Sequence, residues 1–188
     1  MKTEVASVFY PALGTVVEHW KLVIFSDAAH ANLDDKVSSV GAHIIYLVNK
    51  TGFCCPLTWQ SSKIKRVVRS TIAAEALSLQ EGLEDAIYLR QILLDLLSVV
   101  IPIEAYVDNK SVVEAIHSTK LVDDKRLRLD MGAIKESLQR GEVQRVSWCP
   151  GAAQLANCMT KRGAAGFQLQ RVIQSGRLTV EGWSFQEA

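Results

Sequence analysis

Cysteine is scarce and badly spaced for chemistry: the four in this 188-residue sequence stand as an adjacent pair, Cys54 and Cys55, and two distant singles, Cys149 and Cys158. With no C-x-x-C spacing, neither a thiolate zinc site nor a disulfide framework is indicated, and a reducing compartment is the expected setting. No apolar run reaches the roughly 20 residues a membrane helix needs. The first residues lack the charged, apolar and small-residue zones of a secretory signal, so the sequence reads as an intracellular chain with no membrane partner. Charge of one sign is missing as well: 21 Lys and Arg against 20 Asp and Glu leave a net +1. Any case for a polyanionic partner must therefore come from local clusters. There is no internal repeat, and no histidine follows His117.

What is present is ordinary globular composition, 48% apolar and 22% charged, in a length suited to one domain with trimmings. Residues 1–20 read as a leader or connector, 21–162 as the domain, and 163–188 as a tail in which 167–173 has helical character. Short apolar or β-rich runs at 21–25, 37–48 and 53–59 predict three strands, the last two joined by the polar loop Asn49-Lys50-Thr51-Gly52. Pro56 places the third strand at a sheet edge. From 71 to 97, apolar residues recur every three or four positions, predicting one long amphipathic helix with Ser70 as its N-cap. A strand at 103–107, helices at 111–117 and 126–140, a strand at 144–149 and a short helix at 154–161 complete the order. The expectation is an α/β fold: a mixed five-stranded sheet, a three-strand antiparallel meander followed by βαβ crossovers, with helices on both faces.

Two of these strands run into an aspartate, Asp27 and Asp108. If a crossover makes them parallel neighbours, both emerge at the carboxyl end of the sheet, where open α/β sheets place their ligands. Glu75, read as lying in the first turn of the long helix, can join them. Clustered carboxylates repel unless a cation neutralises them. The hard, oxygen-seeking Mg²⁺ is the expected cation, with Mn²⁺ able to substitute, and two such ions serve phosphodiester cleavage. An Asp at a strand end also forms turns and caps, so spacing alone does not carry this assignment.

Ordered motifs do more. Ser26-Asp27-Ala28, Trp59-Gln60-Ser61-Ser62-Lys63, Ser70-Thr71 leading to Ala74-Glu75-Ala76, Tyr88-Leu89-Arg90, Val107-Asp108-Asn109-Lys110-Ser111 and residues 154–161 (QLANCMTK) follow one another along the chain. In that order they resemble the ribonuclease H domain of copia-type retrotransposon polyproteins, over roughly residues 20–162. The resemblance implies an RNase H-like fold and two-metal hydrolysis of the RNA strand of an RNA/DNA hybrid, leaving a 3′-hydroxyl. It also implies the reverse transcriptase of the same polyprotein as a partner, and a setting in cytoplasm, nucleus or retrotransposon particle. Asp27, Glu75 and Asp108 match the first three metal-binding carboxylates. The fourth position, an aspartate in the family, is Asn157 here. An amide oxygen brings no charge to a hard cation, so one metal site should be weakened and activity impaired. Two accounts stay open: an introduced exchange that holds substrate uncut, or natural drift toward a binding or protein-interaction role. Arg128 stands where related elements carry a histidine, and His30 and His117 read as incidental surface groups.

Two basic clusters suit phosphate contacts: Lys63, Lys65, Arg66 and Arg69 before the Glu75 helix, and Lys125, Arg126 and Arg128 before the later one. Ser26, Ser70, Thr71 and Asn109 are candidates for contact with a 2′-hydroxyl.

Overall fold

A computed structural model describes residues 7–33, 37–119, 123–161, 163 and 166–179. Residues 1–6 of the leader, Arg162 at the expected domain boundary and residues 180–188 of the tail lie outside the described residues. Five strands form one mixed sheet: β1 (Lys21–Ala29), β2 (Val40–Val48), β3 (Cys54–Lys63), β4 (Ile103–Val107) and β5 (Arg145–Trp148), in the order β3-β2-β1-β4-β5. The first three make the antiparallel meander, and β4 and β5 add in parallel. The helices are α1 (Thr71–Leu97), α2 (Lys110–His117), α3 (Lys125–Gln139), α4 (Asn157–Thr160) and α5 (Phe167–Ser175).

Strand β1 is central, and every residue after Lys21 is buried, as expected of a strand covered on both faces. On one face Leu22, Ile24, Ile45 and Ala105 meet Leu79 and Leu83 of α1 and Met131 and Ile134 of α3. On the other, Val23, Phe25, Tyr46 and Tyr106 meet Leu155, Ala156, Val172 and Leu178. Each such aliphatic side chain contributes about 1.5–3 kcal/mol by leaving water. Phe25 stacks on Tyr106 at 5.7 Å between ring centroids.

Helix α1 starts where Ser70 caps it, its Oγ accepting from Ala73 N–H at 3.3 Å. It presses close to the sheet: a Cβ on Gly82 would sit 3.1 Å from His43 Cβ. Farther along, Arg90 Nη1 donates to Glu142 O at 2.7 Å, tying α1 to the chain that follows α3. The leader and the tail meet on the body. Phe9 N–H donates to Ile173 O, and Cys54 N–H to Gly176 O, each at 2.8 Å. Gly176 takes φ +61°, and a Cβ there would lie 2.6 Å from Pro11 Cδ.

Several elements differ from the sequence expectation. Strand β1 does not stop before Ser26: β2 carries the ladder on, and Asp27 pairs with Ala42. Strand β2 begins at Val40 rather than at 37, and β3 runs on to Lys63 through the polar Gln60-Ser61-Ser62 stretch. That extension is tolerated because β3 is an edge strand whose far half is largely exposed. Pro56 does lie on that edge, beside a register irregularity. The helix expected at 154–161 shrinks to α4, because the Gln154 side chain, buried between strands, holds the preceding backbone in a turn.

Candidate active site

The parallel register of β1 with β4 pairs Leu22 with Ile103 and Phe25 with Tyr106. Two residues past the last pair, the same offset brings Asp27 level with Asp108 at the carboxyl end of both strands, and strand alternation turns them to one face. Glu75 comes from α1. It lies beyond the first turn, which holds no acidic residue, so it is not placed there as a partner of the helix dipole. One ligand atom from each of Asp27, Glu75 and Asp108 lies within 4.8 Å of the others.

Short polar ties hold this trio. The Ser78 hydroxyl of α1 lies 2.9 Å from Asp27 O and 3.1 Å from Ala42 O, and Ser26 Oγ donates to it. Gln154 Nε2 donates to Ser26 O at 3.0 Å and to Tyr106 O at 3.1 Å, clamping β1 to β4 just before both aspartates. Thr160 Oγ1 donates to Asp27 Oδ2. Trp148 Nε1 donates to Asp108 O at 3.0 Å, and Lys110 Nζ lies 4.5 Å over the Trp148 ring.

Burial pushes the Glu75 carboxyl up to about 9, with the charges of Asp27 and Asp108 adding to it and an Ala28 N–H bond opposing. Burial and then Asp27 likewise hold Asp108 above the usual carboxylate range. Glu75 Oε2 is buried with no hydrogen-bond partner among the described residues. An unpartnered carboxylate oxygen facing two more carboxylates costs free energy unless a cation completes it. All-oxygen donors of this kind fit a hard divalent ion. The open cleft they line, about 420 Å³, also takes in His30, Asn32, Thr71 and Lys161.

Other expected residues fall variously. Asn157 is half-buried, its Oδ1 accepts from Lys161, and it lines an adjoining cleft of about 360 Å³ with Leu155, Cys158 and Phe167. Ser26 is wholly buried with its hydroxyl turned to Ser78, so the expected substrate contact there is corrected to a structural tie. Ser70 and Asn109 use their side chains as helix caps; Thr71 is exposed at the cleft. Arg66, Arg69 and Arg126 converge on one small cleft with Asp124 and Asp130, where Arg66 is ion-paired to Asp130. Lys63, Lys65, Lys125 and Arg128 are exposed. His117 is exposed and bonds Val146 O, whereas His30 lines the carboxylate cleft with Nε2 3.2 Å from Val68 O. Gln154, Thr160 and Lys161 belong to the 154–161 motif, but nothing in the sequence gives them a role; their partners are more than 40 positions away in most cases and leave no local signal.

No protein-family model matches the chain, and no curated protein matches it. Solved structures do. LC11-RNase H1, crystallised with an RNA/DNA hybrid, is 18% identical with a TM-score of 0.53, covering 71% of this chain and 88% of that one. The N-terminal RNase H domain of rv2228c from Mycobacterium tuberculosis is 18% identical with a TM-score of 0.51, covering 82% and 97%. A foamy viral protease-reverse transcriptase in complex with dsDNA is 9% identical with a TM-score of 0.50, covering 87% and 96%. With its strand order and helices on both faces, the chain has the α/β RNase H-like fold.

Proposed function

We propose that this chain is a metal-dependent endonuclease that hydrolyses the RNA strand of RNA/DNA hybrids, the ribonuclease H domain of a copia-type retrotransposon polyprotein. The observation that carries the reading is the convergence of Asp27, Glu75 and Asp108 within 4.8 Å, with Glu75 Oε2 buried and without a hydrogen-bond partner among the described residues. Divalent ions, Mg²⁺ by the oxygen-only donor set, would supply Lewis acidity toward water and the scissile phosphate when bound. The chain's own residues do the rest. Asp27 and Asp108 present carboxylates from adjacent strand ends, Gln154 fixes the strand spacing beneath them, and Thr160 holds one Asp27 oxygen in place. Arg69, Arg126 and Lys65, exposed beside the α1 start, meet the hybrid's phosphates and fix its register without reading sequence. The foamy viral structure supports a reverse transcriptase of the same polyprotein as the partner.

A second reading, a hybrid-binding module without hydrolysis, is favoured by one observation: the Asn157 amide is neutral and already engaged by Lys161. Mg²⁺-dependent cleavage of a labelled RNA/DNA hybrid by this chain and by Asn157→Asp, with a double-stranded DNA control, separates the two. The nuclease reading expects RNA-strand cuts that the aspartate increases by at least tenfold. Binding of the hybrid with no cutting by either protein would leave the binding module.

A further inference from the structure

We propose that the Lys161 ammonium is a built-in counter-cation of the carboxylate cleft, so that this chain takes up one divalent ion there and not two. The inference rests on the metal reading above and specifies its stoichiometry. Lys161 lines the same cleft as Asp27, Glu75 and Asp108. Its Nζ donates to Asn157 Oδ1 at the start of α4, from the extended residue that follows that helix. The same turn is fastened to the site, since Thr160 Oγ1 bonds Asp27 Oδ2 and Thr160 O accepts from Asn32 Nδ2 at 2.8 Å.

Charge then decides the count. The three ionised carboxylates and one ammonium leave a deficit that a single divalent ion neutralises. An aspartate at 157 would add a negative charge at the ammonium; asparagine adds none, and its amide oxygen is taken by the ammonium. Lys161 stands in the same cleft as the three carboxylates, so its ammonium occupies the space where an entering cation would be drawn. A second dication entering beside a fixed positive charge meets repulsion that no additional carboxylate offsets.

The test is a Mn²⁺ titration of the full chain followed by electron paramagnetic resonance, which counts free against bound ion without reference to cleavage. One Mn²⁺ per chain is expected. Lys161→Met, at an exposed position that does not threaten folding, should tighten that site about tenfold, equivalent to about 1.4 kcal/mol, while Lys161→Arg keeps the native affinity. Two ions per native chain, or an unchanged affinity in Lys161→Met, would overturn the inference and leave the metal reading standing. No bound Mn²⁺ at all would overturn both.

Discussion

Replacing Glu75 with glutamine removes an ionisable group from a place where burial, and then Asp27 and Asp108, push a carboxyl from 4.5 up to about 9. Between those values the folded chain keeps a proton that the unfolded chain has released. Wild-type stability without metal should therefore be full below about pH 4.5 and fall as pH rises toward 9. From pH 4.5 to 7.5 is roughly three units at about 1.4 kcal/mol each, a ceiling of about 4 kcal/mol that water entry and relaxation reduce. In a chain of this size about 1 kcal/mol moves Tm by ~2–4 °C. Thermal unfolding in EDTA at about pH 5 and about pH 7.5 measures it. Wild type should lose several degrees between the two, and Glu75→Gln much less, becoming the more stable protein at the higher pH. Added Mg²⁺ should raise the wild-type Tm increasingly as pH climbs, because ion and proton compete for one carboxylate, and should do little for Glu75→Gln. Equal pH slopes in the two proteins would refute the burial argument.

Other perturbations follow from the same geometry. Gln154→Leu removes two buried hydrogen bonds, to the carbonyls of Ser26 and Tyr106, and should cost about 1–3 kcal/mol in urea unfolding. Thr160→Val removes the hydroxyl from Asp27 Oδ2; it should lower Mn²⁺ affinity severalfold while leaving the unfolding free energy in EDTA within about 1 kcal/mol of wild type, and an unchanged Mn²⁺ affinity would remove Thr160 from the site. Arg69→Ala with Arg126→Ala should weaken hybrid binding and reduce its log–log salt slope by about 2, roughly one per lost phosphate contact. A slope that does not move would assign those arginines to the solvated surface.

The helix over 71–97 was legible in full because its apolar residues repeat every three or four positions and Ser70 marks its start. Asp108 was legible as a strand-end residue and Asp27 as the acid that follows an apolar run, since both runs have to be buried on two sides. Strand lengths were not. The extension of β1 through Asp27 and of β3 to Lys63 depends on neighbouring strands that supply hydrogen bonds to polar residues, and propensity says nothing of that. The tail was read as an appendage, yet Val172 and Leu178 close one core face, because their contacts lie on strands far earlier in the chain.

The order of polar and apolar residues alone thus determined which segments pair or coil and which acids follow the apolar runs, because burial of apolar surface imposes a period on each element. Tertiary structure alone decided that Asp27 and Asp108 share a level, that Glu75 reaches them with one oxygen unpartnered, and that Ser26 is sealed inside. It also decided that the lysine after α4 shares the carboxylates' cleft. Those are distances between residues remote in sequence, set by strand register and by how far α1 and α4 sink onto the sheet, and no local pattern encodes them.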